Sequence, residues 1–187
     1  MSERPPRPRR VGDAAALKAL AHPLRVALLS HLLAAGPSTA SACAEAVGST
    51  ASNCSWHLRQ LARHGFVERT EAADGRERPW RSTEVGFELG GDPCDPAVLT
   101  QQDALMALQL DEESRLAQAF LDGRRDLDPA WREVATVHGY TLTATAEELG
   151  ALLERIDALL RPSHPPGRED APAGARPTHV GVRAFPR

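Results

Sequence analysis

Hydrophobic residues recur at helical spacing through residues 14–65, in short segments that begin at capping residues and end at glycine or proline. Asp13 is placed to cap the first helix, Pro23 fits the first turn of the second, and Gly48 stops the third. The pattern predicts four helices, over residues 14–21, Pro23–Ala35, 41–47 and 49–65.

The rhythm changes after Gly65. Segments 66–71 and 80–89 have the composition of strands, and they flank the turn Ala-Asp-Gly-Arg-Glu-Arg, which predicts a β-hairpin. Helices followed by a hairpin are typical of a winged helix-turn-helix module. We assign this module to residues 13–89, preceded by a basic disordered arm over residues 1–12.

The second half of the chain begins with a linker, GGDPCDP, at residues 90–96. One or two helices should follow up to about residue 125, and residues 145–160 carry the clearest i, i+3, i+4, i+7 pattern in the chain. We expect residues 97–161 to form a helical region for dimerisation and for an effector that the sequence does not identify.

Two further segments of this half predict strands. Residues 131–143 are rich in Val, Thr and Tyr, and residues 178–187 alternate in polarity after a flexible linker over residues 162–177. The terminal strand is expected to pair with residues 134–142 in a two-stranded sheet. The predicted fold class is therefore mainly α with small β: a winged helix-turn-helix domain plus a C-terminal helical region.

The fourth predicted helix, within STASNCSWHLRQLARHGF, has two distinct faces. At 3.6 residues per turn, Cys54 falls beside Leu58 and Leu61, whereas Trp56 falls among polar and basic residues. We predict that Cys54 faces the core and Trp56 faces a partner. Because a helix fits the major groove of B-DNA, double-stranded DNA is the expected partner.

Candidate DNA-binding residues are those that this helix and the hairpin tip expose. Hydroxyl and amide groups at the helix start can donate hydrogen bonds, Trp56 can pack on a thymine methyl or on sugar, and arginines can bind phosphate or guanine. The set is Ser49, Thr50, Ser52, Asn53, Ser55, Trp56, Arg59, Arg63, Arg76 and Arg78.

Charge agrees with this placement. Residues 1–85 hold 12 Lys+Arg against 8 Asp+Glu, a net of +4, whereas residues 86–187 hold 10 against 17, a net of −7. Only the first half is therefore expected to meet a polyanion. No apolar run is long enough for a membrane span, no secretion signal is visible, and three cysteines make no disulfide framework, so we expect a cytoplasmic protein without a membrane partner.

Several of these features together resemble the ArsR-like winged-helix transcription regulators. They are LKALAHPLRVALLSHLL, the Ser-x-x-Ser-x-His-Leu frame at Ser52, Ser55, His57 and Leu58, and the ADGRERPWR wing. The resemblance, over about residues 14–89, implies that the fourth helix and the wing bind operator DNA. It also implies a homodimer formed by the first helix and the C-terminal helices.

The metal site of many ArsR-like sensors is missing, because Cys43-Ala44-Glu45 stands where the resemblance would place a Cys-x-Cys pair. We expect Cys43 and Cys54 to be core residues, His22 to lie at a helix junction, and no metal, cofactor or catalytic residue. Cys94, in the predicted linker, is the best candidate for a reactive thiol, although nearby Asp92 and Asp95 would disfavour its thiolate. His138 and Tyr140 could line an effector pocket, but sheet packing is favoured.

The sequence thus predicts a dimeric, sequence-specific DNA-binding repressor rather than an enzyme. Two alternatives stay open at this stage. The module could bind a protein partner without specific DNA binding, or a thiol of Cys94 or Cys54 could make DNA binding responsive to oxidation.

Overall fold

The computed structural model describes residues 9–70, 78–84, 86–160 and 172–186. The strands are short and the helices dominate, which confirms a mainly α fold with small two-stranded sheets. In chain order the elements are β1 (Arg9–Val11), α1 (Ala14–Leu20), α2 (Pro23–Ala35), α3 (Ala40–Val47), α4 (Ala51–Arg63), β2 (Val67–Arg69), β3 (Trp80–Ser82), β4 (Phe87–Leu89), α5 (Pro96–Gly123), a 3₁₀ turn (Arg124–Asp126), α6 (Pro129–Val134) and α7 (Ala146–Leu160).

The first four helices form where the hydrophobic pattern predicts them, because side chains cap each helix start. Asp13, His22, Thr39 and Thr50 each accept a hydrogen bond from a backbone N–H of the first turn. The last turn of α3 is followed by Gly48 in the left-handed conformation, with φ of +64°, which an L side chain rarely adopts.

One hydrophobic core joins α1 to α5. Helices α3 and α4 pack on α2, and the core cluster has Leu17, Leu28, Leu58, Leu61 and Phe66 as fully buried members. Helix α5 packs against α1 and α2 and adds Val98 and Leu105 to the same cluster. The core therefore extends past residues 90–96 into the first three turns of α5.

The hairpin is confirmed in its strands, since β2 pairs antiparallel with β3 in the register Glu68 with Arg81. Its turn, residues 71–77, lies outside the described residues. The predicted strand 80–89 is instead two strands in different sheets. Ser82 bends the chain by accepting from the Glu84 N–H and donating to the Glu84 carbonyl, and β4 then pairs with β1.

The expectation of disorder throughout the arm is wrong for its last residues. Residues 9–11 form β1, which pairs parallel with β4 in the register Arg9 with Phe87 and Val11 with Leu89. Val11 is buried in the core, and that burial supplies the stabilisation that composition alone did not reveal.

The two C-terminal strand predictions are wrong for the described residues. Residues 129–134 form α6 because Asp128 accepts from the Trp131 N–H and Pro129 occupies the first turn, a capping signal that outweighs the β-branched composition. Residues 135–145 and 178–186 contain no strand. Because a strand needs a ladder partner, the loss of the first removes the second. Side-chain pairs hold the tail instead, Arg176 with Asp128 and Arg183 with Glu113.

Candidate nucleic-acid interface

Helix α4 has the two faces that its sequence predicts. Cys54, Leu58 and Leu61 have no exposed surface, whereas the side chain of Trp56 is 50% exposed. Its indole packs against the ring of His57 at a centroid distance of 4.7 Å, with the two ring planes nearly perpendicular. A half-exposed tryptophan on a helix whose opposite face is fully buried is available to a partner.

Short polar side chains cluster at the start of α4. The Thr50 hydroxyl caps the helix by accepting from the Asn53 N–H at 3.3 Å and lies 3.2 Å from the Ser52 hydroxyl. The Asn53 amide donates to the Ser49 hydroxyl at 3.1 Å, and Ser55 accepts from Arg59. All five groups retain free donors or acceptors, because each has more hydrogen-bonding capacity than these contacts use.

The two arginines of α4 carry positive charge without a carboxylate partner among the described residues. Arg59 donates to the Ser55 hydroxyl at 2.9 Å and Arg63 donates to the Gln60 side-chain oxygen at 3.2 Å, so both guanidinium groups are held by neutral acceptors. Between Glu45 and Glu68 the chain has no Asp or Glu at all. The exposed face of α4 therefore carries basic and polar side chains and no acid, which suits a polyanion.

The wing adds one arginine that is paired with a carboxylate and, in the described part of the chain, others that are not. Arg81 is paired with Glu68 across the hairpin at 2.6 Å, and its charge is therefore compensated. Arg69 stacks over the Trp80 ring at 4.4 Å and donates to the Arg78 carbonyl, with no acid beside it in the described chain. Arg78 is exposed, and Arg76 lies outside the described residues.

Sequence reasoning missed Arg69 as a candidate contact. The signal was its position opposite Trp80 in the hairpin register, where an arginine can stack on the indole ring and keep its charge exposed. Seven of the predicted contacts lie together on α4, or directly before it, and have exposed or half-exposed side chains; these are Thr50, Ser52, Asn53, Ser55, Trp56, Arg59 and Arg63. Ser49 is half-buried beside them, and Arg78 lies in the hairpin, two residues before β3.

Behind this face lies a pair of imidazoles. The rings of His22 and His57 are 4.4 Å apart, His57 is only 5% exposed, and its Nδ1 has no hydrogen-bond partner. His22 caps α2 by accepting from the Leu24 N–H, as expected for a helix junction. Burial lowers the pKa of His57, and the charges of His22 and Arg25 lower it further. Burial and Arg25 also lower the pKa of His22.

These pKa shifts predict that acid destabilises the fold. The folded pKa of His22 and His57 lies below the ordinary value of 6.5, so the unfolded chain binds protons first as the pH falls. Stability is therefore present above about pH 6.5 and is lost progressively below it. We expect the melting temperature to fall between pH 7.5 and 5.5, and less steeply in His57→Gln, measured by circular dichroism. An equal slope in both proteins would contradict this account.

The thiols inside the module are poor candidates for redox chemistry. Cys43 and Cys54 are fully buried, as predicted, and burial raises the pKa of the Cys43 thiol to about 11 and also raises that of Cys54. Since the thiolate is the reactive form, both are protected. Cys94 is exposed in a turn where its N–H donates to Asp92.

No effector site is evident at the positions expected for one. His138 and Tyr140 lie in a loop rather than on a strand, and Tyr140 is 81% exposed. A shallow cleft of about 190 Å³, lined by Pro23, Leu108, Asp111, Glu112 and Arg115, is smaller than the roughly 300 Å³ that small-molecule pockets usually need. Among the described residues, no three metal-ligating side chains cluster and no helix is both long and apolar enough to cross a bilayer.

Helices α3 and α4, packed together on α2, have the arrangement of a helix-turn-helix, which is typical of DNA-binding modules. The family model described as a helix-turn-helix domain matches residues 20–70, which contain α2, α3, α4 and β2. The match supports a DNA-binding regulator rather than an enzyme. The crystal structure of NolR from Sinorhizobium fredii is similar to this chain at 25% sequence identity, covering 51% of this chain and 82% of that chain, with a TM-score of 0.34. The comparison with curated proteins found no match.

Proposed function

We propose that the protein is a dimeric, ArsR-like winged helix-turn-helix repressor that binds a specific operator through α4 and the wing and is released by an effector. The observation that carries the proposal is the exposed face of α4, where Trp56, Arg59 and Arg63 stand on a helix with no acidic residue. Exposure of the apolar Trp56 indole to water is unfavourable, and the arginines lack carboxylate partners among the described residues. A DNA duplex would cover the indole and pair the arginine charges with phosphate or base groups.

Each part of this surface has a separate role in the proposal. The polar groups from Ser49 to Ser55 and Arg59 would meet base edges, because the first turns of a recognition helix enter the major groove. Arg63, Arg69, Arg76 and Arg78 would bind phosphates and fix the register of the module on the duplex. In a dimer the two helices would reach successive major grooves about 34–36 Å apart.

A genomic selection tests this function. Purified protein is incubated with sheared genomic DNA from its own source at about 150 mM salt, and the retained fragments are sequenced. We expect one or a few fragments to be strongly enriched and to share half-sites separated by about one helical turn. Uniform recovery of all fragments would contradict a specific regulator and would favour the protein-interaction alternative.

The homodimer is supported by where apolar surface remains uncovered. Among the described residues, every exposed large hydrophobic side chain except Trp56 lies at or after Leu99. No hydrophobic residue after Leu105 in the described chain is buried. On α5 one exposed stripe runs at spacings of seven, four, seven and four residues: Leu99, Met106, Leu110, Ala117 and Leu121. Such a stripe on a 28-residue helix fits the matching helix of a second copy, since a two-fold axis brings identical faces together.

Charge on this stripe should weaken the dimer. Met106→Asp with Leu110→Asp would place four carboxylates in a two-fold interface and would remove apolar side chains whose burial contributes about 1.5–3 kcal/mol each. Because both residues are exposed in the monomer, its fold should be unaffected. We expect the dimer dissociation constant to rise at least about a hundredfold by sedimentation velocity. The matched control, Ala104→Asp, lies on another exposed side of α5 and should leave the dimer unchanged.

A further inference from the structure

An arginine of the N-terminal strand β1 contacts the turn that ends α4. The Arg9 guanidinium donates from the same Nη1 to the His64 carbonyl at 3.0 Å and to the Gly65 carbonyl at 2.9 Å. It also lies over the Phe66 ring, 5.0 Å from its centroid. A helix C-terminus carries partial negative charge and unpaired carbonyls, so a cation there is favourable.

Arg9 is itself fixed at its backbone. Its N–H donates to the Gly86 carbonyl at 3.0 Å, and its strand β1 pairs with β4, which carries Phe87. The Phe87 ring packs edge-on against Phe66 at 5.1 Å, and the Thr83 hydroxyl donates to the Gly65 carbonyl at 2.8 Å. The end of α4, the base of the wing and the arm therefore converge on one carbonyl pair and one aromatic ring.

Gly65 leaves room for this contact. Its φ is +69°, and a Cβ at this position would lie 3.3 Å from the Arg9 Nη1. A side chain here would be both strained in its backbone and crowded against the guanidinium. The glycine thus serves the turn and the approach of Arg9 together.

The contact of Arg9 with the end of α4 matters because a small tilt of so long a helix moves its first turn further than a hydrogen bond to a base can tolerate. Thirteen residues span about 20 Å, so a tilt of about 5° about the C-terminal end moves the first turn by roughly 2 Å. Hydrogen bonds to base edges operate within about 2.7–3.2 Å and do not survive such a displacement. Burial of Cys54, Leu58 and Leu61 fixes which face points inward, while a contact at the helix end restrains its tilt.

We propose that Arg9 is a positioning residue for DNA recognition, which locks the angle between α4 and the wing without touching the duplex. The proposal rests on the DNA-binding function proposed above. The basic composition of the N-terminal arm suggests phosphate contact. The proposal gives the arm a role in sequence specificity instead.

Arg9→Ala tests the proposal, with Arg10→Ala as the matched control. Arg10 is the next residue of the same strand, is exposed, and has its side chain beside Gly90 rather than on the His64 and Gly65 carbonyls. Affinity is measured by fluorescence anisotropy at several salt concentrations, for the duplex most enriched from genomic DNA and for a scrambled duplex of equal length. We expect Arg9→Ala to bind the enriched duplex at least about tenfold more weakly and the scrambled duplex as wild type does, whereas Arg10→Ala keeps the specificity ratio.

The salt dependence separates positioning from direct contact. If Arg9 bound a phosphate, its loss would weaken binding to both duplexes and would reduce the slope of log K against log salt by about 1. A positioning residue leaves that slope unchanged. Arg9→Lys keeps the positive charge and an N–H donor group and should recover part of the specificity ratio, because the ammonium can still reach a carbonyl.

Hydrogen exchange without DNA gives a second readout. The Phe66 N–H donates to the Leu61 carbonyl and the Gly65 N–H to the Ala62 carbonyl, and both amides should exchange faster in Arg9→Ala while those of α2 do not change. Suppose that the wild type binds the enriched duplex specifically. If Arg9→Ala then showed the same amide exchange or the same specificity ratio as the wild type, the role of Arg9 would be overturned and the proposed function would stand. A wild type without a specific duplex would overturn the proposed function and this role together.

Discussion

Phe66→Ala is expected to lower the free energy of unfolding by about 3–5 kcal/mol, the usual effect of removing a fully buried phenylalanine. Phe66 is completely enclosed, packs edge-on against Phe87 and lies under the Arg9 guanidinium, at the point where α4 passes into the wing. Its loss therefore leaves a cavity and removes the ring on which the arm rests. The change is measured by urea denaturation monitored by circular dichroism.

Phe185→Ala is the control for this experiment. Phe185 is 71% exposed, and replacing it should change the free energy of unfolding of the monomer by no more than about 0.5 kcal/mol. A cost below about 1 kcal/mol for Phe66→Ala would contradict the placement of this residue at the centre of the core.

The second large effect is expected on DNA binding rather than on stability. Trp56→Ala combined with Arg59→Ala should weaken specific binding by at least about 2 kcal/mol, or roughly thirtyfold, because each base or phosphate contact is worth about 1–3 kcal/mol. Stability should stay nearly constant, since the Trp56 side chain is half-exposed and the Arg59 guanidinium is held by a hydroxyl on the surface.

The matched control removes one aromatic side chain and one arginine from another part of the surface. Tyr140 and Arg124 are both exposed and lie outside the helix-turn-helix module, so Tyr140→Ala with Arg124→Ala should bind DNA as wild type does. If both double variants kept full affinity for the specific duplex, α4 would not be the DNA-recognition helix. If both lost it equally, the effect would not be specific to the α4 surface.

The sequence predicted the helices of the module because each has its own local signals. Asp13, Thr39 and Thr50 cap helices in the structure as their side chains suggest, and the apolar stripe of α4 separates Cys54 from Trp56 by periodicity alone. The inward and outward faces of α4 follow from 3.6 residues per turn, so this part of the candidate site required no tertiary information.

The errors lie where structure depends on distant partners. β1 forms only because β4 offers an edge 78 residues later in the chain, and no local pattern in Arg9–Val11 indicates it. Residues 131–143 and 178–187 have the composition of strands, but composition does not provide a ladder partner, and the Asp128-Pro129 cap favours a helix. The contact of Arg9 with the end of α4 belongs to the same class, since it spans 55 residues.

The central claim is that α4 and the wing read a specific duplex. It is tested most directly by fluorescence anisotropy of the purified protein with the genomic duplex it enriches and with a scrambled duplex of equal length, across a salt series. We predict saturable binding to the enriched duplex at least about a hundredfold tighter than to the scramble, with affinity falling steeply as salt rises. Weak and equal binding to both duplexes at every salt concentration would contradict the claim.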